Sequence, residues 1–204
     1  MSVSDAMPLN HDRAPLRRKL REQRRAIPPA ERIAAADQLA VHLLNLPFLP
    51  ESGHVAGYWA TDGEIGLHSF QIRLPPRLTY CLPVLHAGML RFAPWRSGDA
   101  LTTNQYGIPE PVLDTNALID PKAMALVIVP LVGFDAQGNR LGMGGGWYDR
   151  SFAFRKNDPP PPWLVGVGFA AQEIESLDTA SWDVRVDAVY TEQTILSQIP
   201  AIQR

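Results

Sequence analysis

A run of glycines in the second half of the chain, Gly142-Met143-Gly144-Gly145-Gly146, has the composition of an anion-binding loop. Only glycine readily adopts positive φ and lets several backbone amides approach one ligand, so such a run can form a cradle for phosphate. It lacks the Gly-Lys-Ser/Thr ending of a P-loop and does not match Gly-x-Gly-x-x-Gly, so neither common nucleotide motif applies. A purely structural glycine turn is the alternative.

Charged side chains flank this run. Arg140 and Arg150 carry the positive charge that phosphate oxygens attract, whereas Asp149 repels phosphate unless a cation lies between them. Mg²⁺ bound with a nucleotide resolves the conflict, because the ion needs only one or two protein carboxylates. Asp183 and Asp187 are candidates for the second carboxylate, and capping of a strand or turn is the alternative role for each.

A basic segment near the start of the chain offers further positive charge. Residues 13–25 contain seven Lys and Arg side chains against one acid, and Leu16 and Leu20 are spaced as in a helix. One face of this predicted helix presents four arginines, namely Arg13, Arg17, Arg21 and Arg24. That face either meets an anion or is simply solvated.

The elements that must position these residues alternate between strand and helix. The predicted strands cover residues 54–60, 78–84, 90–95, 125–129, 164–169 and 183–190, and the predicted helices cover 13–25, 31–46, 67–72, 147–154 and 172–177. Residues 125–129 are all apolar, which predicts a central strand. The turn Thr61-Asp62-Gly63-Glu64 places acids beyond the end of the first strand, where α/β sheets bind ligands. A chain of 204 residues with this pattern is expected to form one α/β domain.

The composition excludes several classes of protein. The chain carries 19 Lys and Arg against 21 Asp and Glu, a formal charge of −2, so no overall field favours nucleic acid or a membrane surface. Cys81 is the only cysteine, which rules out internal disulfides and a multi-thiolate metal centre. Neither a membrane span nor a signal-peptide core is recognisable, so we expect a cytoplasmic protein with no membrane partner.

The glycine-rich region resembles a known family signature. The matching residues are Leu131-Val132-Gly133-Phe134-Asp135 and Arg140-Leu141-Gly142-Met143-Gly144-Gly145-Gly146-Trp147-Tyr148-Asp149-Arg150, and the signature is that of 5-formyltetrahydrofolate cyclo-ligases, also called methenyltetrahydrofolate synthetases. The resemblance extends over residues 13–193 and includes the basic segment, Asp62-Gly63-Glu64-Ile65, Tyr106-Gly107-Ile108-Pro109-Glu110-Pro111 and Trp182-Asp183-Val184-Arg185-Val186-Asp187.

Together with the predicted elements, the resemblance implies a particular architecture. We expect a single-domain three-layer α/β/α sandwich with a mostly parallel, Rossmann-like central sheet and a glycine-rich strand-to-helix loop. Residues 13–197 would form this domain, with a flexible N-terminus at 1–12 and a C-terminal tail at 198–204.

The resemblance also implies a reaction. ATP and Mg²⁺ would drive cyclisation of 5-formyltetrahydrofolate to 5,10-methenyltetrahydrofolate, with release of ADP and phosphate. A formamide carbonyl is a poor electrophile, so the implied route phosphorylates the formyl oxygen to an iminium phosphate before N10 attacks the carbon. Catalysis would then rest on positioning and charge stabilisation. The implied partner is a reduced folate, and we expect a monomer or weak homo-oligomer that binds no nucleic acid.

By the same resemblance, the site residues fall into four groups. Those at the reacting groups would be Arg17, Arg140 and Tyr148. The nucleotide would contact Arg13, Arg17, Arg140, Leu141, Gly142, Met143, Gly144, Gly145, Gly146, Trp147 and Tyr148. The folate would contact Trp59, Thr61, Glu64, Tyr106, Met143, Gly144, Gly145, Gly146 and Trp147, with the aromatic faces available for stacking. Mg²⁺ would be held by Asp149 and Asp183, with Asp187 as the alternative ligand.

The chain departs from the usual family pattern in two ways. Some members have basic residues in the glycine loop where this chain has Met143 and Gly145, so the phosphate charge must be met by side chains outside the loop. Gly66 stands where the family often has an acid, which leaves the substrate contact of this turn to Glu64.

Two other functions are compatible with parts of the pattern. A sugar-phosphate isomerase can use a similar α/β scaffold and glycine loop without ATP. A non-enzymatic module can bind RNA or an acidic protein through a basic helix, although the sequence contains no interleaved aromatic and basic RNA-binding motif.

Overall fold

The computed structural model describes residues 13–112 and 117–197. The helices are α1 (Ala14–Ala26), α2 (Pro29–Leu44), α3 (His68–Arg73) and α4 (Trp147–Ser151). The strands are β1 (Gly53–Ala56), β2 (Leu78–His86), β3 (Met89–Pro94), β4 (Leu101–Thr103), β5 (Pro109–Pro111), β6 (Leu126–Pro130), β7 (Gly133–Phe134), β8 (Arg140–Leu141), β9 (Trp163–Val167), β10 (Ala188–Tyr190) and β11 (Ile195–Ser197). The expected terminal segments, 1–12 and 198–204, lie outside the described residues, so the domain limits stay a prediction.

Among the described strands, seven form one sheet in the order β11-β10-β9-β6-β1-β2-β3. The five inner strands are parallel to one another, and β3 and β11 add antiparallel edges beside β2 and β10. The predicted mostly parallel sheet is therefore confirmed, with β6 inside it as its apolar composition indicated. The two-residue turn of Ala87 and Gly88 joins β2 to β3 as a hairpin.

Both faces of the sheet are covered, which produces the three layers. Alternate residues of β6 point to opposite sides, so Leu126 and Ile128 join one hydrophobic cluster while Val127 and Val129 join the other. Helices α2 and α3 cover the first face, and Phe152, at the end of α4, packs on the second. The three-layer prediction is confirmed by this arrangement.

The chain leaves the middle of the sheet in two directions. After β1 it continues to β2 on one side, and after β6 it continues to β9 on the other, although β1 and β6 are neighbours. The connections that follow β1 and β6 therefore diverge, which leaves a crevice beyond the carboxyl ends of these strands. The Asp62 turn, defined as residues 61–64, follows β1, and the glycine loop, residues 142–146, follows β6 by way of the short β7–β8 hairpin.

Three predicted elements differ from the structure, and long-range contacts explain two of them, the segments at 172–177 and 183–190. The helix predicted at 172–177 is replaced by a 3-10 turn at Ala170–Gln172, because the amide of Ile174 donates to Phe134 and that of Leu177 to Asp135. Helix α4 ends at Ser151 and is followed by a separate 3-10 turn, Ala153–Lys156.

The strand predicted at 183–190 begins only at Ala188. Val184 and Val186 are buried as their alternation indicated, but the backbone groups of Val184 bond to side chains: its amide donates to Asp149 and its carbonyl accepts from Arg140. Alternation thus identified a half-buried extended segment. It did not reveal that side chains, rather than a neighbouring strand, satisfy this part of its backbone.

Candidate active site

The glycine loop joins β8 to α4 and requires glycine at two positions. Gly144 has a φ of 97° and Gly146 a φ of 65°, conformations that other residues adopt only with strain. Leu141, just before the loop, is fully buried and anchors it, while Met143 is half exposed. Because α4 has only five residues, its dipole is small, and the positive charge at the loop must come from side chains.

Two arginines from the start of the chain supply that charge. Arg17 Nε donates to the carbonyl oxygen of Gly142 over 2.9 Å, and a Cβ atom at residue 144 would lie 3.5 Å from Arg17 Cζ. Arg13 Nη2 lies 2.9 Å from Asp183. Burial and the charge of Arg13 lower the pKa of Arg17 and Asp183 raises it, and the arginine stays protonated at neutral pH. The structure thus brings the basic segment and the glycine loop together.

Asp149 and Asp183 lie next to each other through the backbone of Val184. Asp149 Oδ1 accepts from the amide of Val184 at 3.0 Å and pairs with Arg140 Nη2 at 2.6 Å. Asp183 Oδ2 pairs with Arg13 and accepts from a nearby backbone amide. Within residues 13–112 and 117–197, no hydrogen bond reaches the second oxygen of either carboxylate. Among these residues, each carboxylate thus has one oxygen that accepts no hydrogen bond, and such an oxygen is the kind that a cation can bind.

Asp187 faces another part of the structure. Its Oδ1 lies 2.7 Å from Arg155 Nη2, and its Oδ2 accepts from the amide of Leu164 over 2.7 Å. Both oxygens thus hold the beginning of β9, and we leave Asp187 out of the candidate metal site. In the described part of the chain, no three His, Cys, Asp or Glu side chains gather closely enough to hold a metal ion by themselves.

The Asp62 turn carries a buried carboxylate on the opposite side of the crevice. The amide of Thr61 donates to Glu64 Oε2 over 2.9 Å, and Arg24 Nη1 lies 3.8 Å from Glu64 Oε1. Burial raises the pKa of Glu64, while the hydrogen bonds from Thr61 and the charge of Arg24 oppose that rise. Glu64 is therefore a largely buried carboxyl group whose neighbours, Thr61 and Arg24, partly offset the effect of burial on its pKa.

Asp62 itself forms ion pairs with three arginines of α1, a structural role that the sequence did not reveal. Arg21 Nε lies 2.7 Å and Arg24 Nη2 2.9 Å from its Oδ2, and Arg25 pairs with its Oδ1. Arg21 and Arg24 bind this carboxylate, so they do not join Arg13 in meeting a ligand anion, which was one of the two alternatives left open for this helix face. The sequence showed both the row of arginines and the Asp-Gly turn. It did not show that they meet, because they lie about 40 positions apart and a local pattern reports only on neighbouring residues.

The polar residues just before the glycine loop also have structural roles. Asp135 is buried and accepts hydrogen bonds from the amides of Gln137, Asn139 and Leu177. Arg150, on the other side of the loop, donates to the carbonyl of Gly145 over 2.8 Å. These residues shape and support the loop.

Aromatic side chains occupy both sides of the crevice. Trp147 Nε1 donates to the hydroxyl of Tyr106 over 3.3 Å, with the rings edge to face at 6.2 Å. Tyr106 is exposed in the turn between β4 and β5, so this ribbon reaches across to the glycine loop. Trp59 is separate from that pair and packs edge to face on Trp95 at 5.7 Å.

The pKa of Tyr148 is influenced by charged groups on both sides of the crevice. Burial and the charge of Glu64 raise the pKa of its hydroxyl, and Arg140 opposes the rise. The hydroxyl consequently stays protonated near a carboxylate of the Asp62 turn and an arginine at the base of the glycine loop. Its ring stacks on Phe152 at 6.3 Å, which fixes its direction.

The sheet order and this crevice define an α/β protein of the doubly wound class, in which ligands generally bind where the chain leaves neighbouring parallel strands in opposite directions. More specifically, the chain belongs to the 5-formyltetrahydrofolate cyclo-ligase family, whose model matches residues 10–192. The family resemblance noted in the sequence is thereby confirmed.

Individual relatives agree with this assignment. The 5-formyltetrahydrofolate cyclo-ligase of Haemophilus influenzae is 33% identical over 177 residues, covering 84% of this chain and 93% of that protein. The protein of the same name from Escherichia coli (strain K12) is 33% identical over 181 residues, covering 86% and 98%. The NMR structure of Aquifex aeolicus 5,10-methenyltetrahydrofolate synthetase has a TM-score of 0.79 at 28% identity, covering 94% of this chain and 95% of that one.

The chain is accordingly a cyclo-ligase of folate metabolism with the α/β fold of its relatives. None of the relatives reported above is a sugar-phosphate isomerase or an RNA-binding protein, so the two alternative functions gain no support. In the described ranges, no helix is long and apolar enough to cross a membrane.

Proposed function

We propose that this enzyme uses ATP and Mg²⁺ to close the ring between N5 and N10 of 5-formyltetrahydrofolate, and that it releases 5,10-methenyltetrahydrofolate, ADP and phosphate. The observation that carries the proposal is the contact of Arg17 with the glycine loop, where its Nε donates to Gly142. An arginine from the start of the chain and a loop of glycines converge there, across the crevice from the Asp62 turn. This combination suits transfer of a phosphoryl group to an acceptor bound on the opposite side of the crevice.

The nucleotide phosphates would lie along the glycine loop between Arg17, Arg13 and Arg140. These three arginines would neutralise the phosphate charge that basic loop residues neutralise in other family members. Arg13 and Arg140 are now paired with Asp183 and Asp149, so each is held in place by an acid before a ligand arrives. We expect all three to contribute more to the charge developing during transfer than to binding alone.

Mg²⁺ suits the two acids on this side of the crevice. Asp149 and Asp183 are oxygen donors, are adjacent through Val184, and each keep one oxygen that receives no hydrogen bond among the described residues. Mg²⁺ commonly takes one or two carboxylates and completes its coordination with phosphate and water. When bound, the ion would screen the repulsion between these carboxylates and the phosphates.

In the proposed reaction, the formyl oxygen attacks the γ-phosphorus of ATP and the bond from that phosphorus to ADP breaks. The resulting iminium phosphate has an electrophilic formyl carbon, which N10 attacks. The carbon–oxygen bond then breaks, phosphate leaves with the former formyl oxygen, and N10 gives up its proton. Arg17 and Arg140 would stabilise the charge on the transferred group, and the hydroxyl of Tyr148 would donate to an oxygen at the reacting centre.

The folate would lie between the Asp62 turn and the aromatic pair of Tyr106 and Trp147. Glu64 would accept a hydrogen bond from a pterin N–H, supported by the amide of Thr61. Trp59 and Trp147 offer flat faces on which the ring system can stack, while the half-exposed Met143 would cover it from the glycine loop.

The first experiment mixes purified protein with 5-formyltetrahydrofolate and Mg²⁺ and follows the absorbance of the methenyl product. A rise that requires ATP supports the proposal, and no rise in folded protein contradicts it. Substrate labelled with ¹⁸O in the formyl group then tests the intermediate, since the label must appear in the released phosphate. Label retained elsewhere would exclude phosphorylation of the formyl oxygen.

We further propose that residues 13–197 constitute the catalytic domain and that the enzyme works in the cytoplasm as a monomer or weak homo-oligomer. The proposal is supported by the fact that one copy of the chain supplies every contact named above. Sedimentation of the purified protein across a range of concentrations measures the oligomeric state.

A further inference from the structure

The arginine row of α1 makes contacts at both ends of the helix. Towards its beginning, Arg17 bonds to Gly142 of the glycine loop. Towards its end, Arg21, Arg24 and Arg25 all bind Asp62. The distance along the axis from Arg17 to Arg24 is about 10 Å, at 1.5 Å per residue. One rigid element thus touches both the proposed nucleotide site and the proposed folate turn.

Apolar contacts alone hold α1 weakly. Leu20 and Arg24 are the buried side chains of this helix. Leu20 packs on β7 so closely that a Cβ atom at Gly133 would lie 2.6 Å from its Cδ1. Leu16 adds only a partly buried contact to the same cluster, so few apolar side chains hold this helix and its orientation depends on polar contacts along its length. The position of Arg17 therefore depends on the polar contacts of the helix, which are the pair of Arg13 with Asp183 at its start and the pairs with Asp62 towards its end.

The contact with Asp62 is built to fix that end. Arg24 is buried, and besides Asp62 Oδ2 it reaches the backbone oxygen of Asp62 at 3.1 Å and that of Leu131 at 3.4 Å. Leu131 directly follows β6, the strand that leads to the glycine loop. Asp62 adopts a left-handed conformation with φ of 53°, and the Gly63 that follows it lies against the backbone of Arg25. The ion pairs of Asp62, its left-handed backbone and the burial of Arg24 together hold the Asp62 turn against the end of α1.

We propose that Asp62 is a positioning residue for nucleotide binding, acting through α1 to place Arg17 on the glycine loop. The inference rests on the proposed function, since it assumes that the nucleotide occupies that loop. Among the described residues, the Asp62 side chain pairs with Arg21, Arg24 and Arg25, which are not among the residues proposed to bind the nucleotide. Its carboxylate holds three arginines at one end of a rigid helix, and the opposite end carries the side chain that meets the phosphates. The Asp62 turn, where the folate would bind, and the glycine loop, where the nucleotide would bind, are thereby coupled through α1.

The test compares binding of the magnesium complex of ADP, measured by titration calorimetry, in wild type and Asp62→Asn. Asparagine is similar in shape and tolerates the left-handed conformation, so the variant removes mainly the negative charge. We expect ADP to bind about tenfold more weakly to Asp62→Asn, a modest coupling effect. The matched control is Asp37→Asn, which breaks a surface ion pair with Arg73 on α2 and α3 and should bind ADP like wild type.

Binding is measured well below the thermal midpoint of each variant, so that lost stability does not imitate lost affinity. Unchanged ADP affinity in folded Asp62→Asn would overturn the inference even if its thermal midpoint fell. Wild-type protein that binds no ADP would overturn the proposed function as well. If Asp62→Asn does not fold, the double variant Arg21→Gln/Arg25→Gln removes only the two more exposed partners. It should bind ADP several-fold more weakly, and wild-type affinity would again overturn the inference.

Discussion

Arg17 Nε and the carbonyl oxygen of Gly142 lie 2.9 Å apart, although 125 positions separate these residues in the chain. This hydrogen bond closes one side of the crevice, because the guanidinium then lies against Gly144. It also orients the group: with Nε turned to the loop backbone, the rest of the planar guanidinium remains directed along the glycine loop. A lysine at this position would supply charge without that fixed direction.

The first prediction concerns Arg17→Ala. We expect kcat/KM to fall on the order of 10²-fold, because a fixed donor to the transferred phosphoryl group is lost. Steady-state kinetics with varied ATP provides the measurement. Arg18→Ala is the matched control, since Arg18 is its exposed neighbour on another face of α1, and it should retain nearly full activity. Equal losses in the two variants would show that α1 faces the site in another way.

The second prediction compares two glycines of the same loop. Gly144→Ala should destabilise the loop by roughly 1–2 kcal/mol, because its φ of 97° is strained for alanine, and should weaken ADP binding. Gly142→Ala should be tolerated, since Gly142 is absent from the positive-φ conformations and an added Cβ would lie 3.8 Å from Arg140. Calorimetric titration with ADP measures both variants. Similar affinities would mean that the loop does not cradle phosphate.

The third prediction separates a metal ligand from a structural acid. Asp149→Asn and Asp187→Asn each break an ion pair with an arginine whose side chain is 6% exposed, so both should lower the free energy of unfolding by roughly 2–3 kcal/mol. Only Asp149→Asn should also raise the Mg²⁺ concentration needed for ADP binding. Urea unfolding gives the stabilities, and Mg²⁺ titration at fixed ADP gives the metal dependence. If only Asp187→Asn raised the Mg²⁺ concentration needed for ADP binding, Asp187 would be the metal ligand and Asp149 the structural acid.

The fourth prediction follows from the raised pKa of Glu64. Burial raises this pKa above its usual value of 4.5, so the folded protein holds the Glu64 proton more tightly than the unfolded chain. The contribution of Glu64 to stability is therefore greatest below pH 4.5, and it declines as the pH rises through the pKa that Glu64 has in the folded protein. Glu64→Gln should remove that decline and become relatively more stable at neutral pH, while binding folate more weakly.

Urea unfolding at several pH values on both sides of 4.5, in wild type and Glu64→Gln, measures this difference. A difference in stability that does not change with pH would contradict the assignment of the raised pKa to Glu64. Folate affinity, measured by fluorescence quenching on the same samples, tests the proposed contact separately.

The sequence was most informative where short-range pattern decides structure. The apolar run at 125–129 predicted an inner strand, and β6 lies inside the sheet. The strands predicted at 78–84 and 90–95 are present as β2 and β3, which form a hairpin. Periodic apolar residues report which side of an element faces the core, so these features follow from neighbouring residues alone.

The same reasoning was less informative where distant groups compete for the backbone. The alternation at 183–187 correctly marked buried valines, but Arg140 and Asp149 take the hydrogen bonds of Val184 that a strand partner would otherwise make. The helical pattern at 172–177 likewise gave way to acceptors elsewhere in the fold, Phe134 and Asp135. Local preferences amount to fractions of a kcal/mol per residue, so tertiary contacts override them.

The sequence by itself determined the α/β class, the location of the glycine loop and the acid-bearing turn, and the family resemblance, because these reside in contiguous motifs. Only the tertiary structure decided which charges meet. In the folded chain, Arg17 donates a hydrogen bond to the glycine loop, Arg24 pairs with Asp62, and Asp187 pairs with Arg155. An ion pair depends on the positions of two side chains in space, and no periodicity along one segment contains the position of the other.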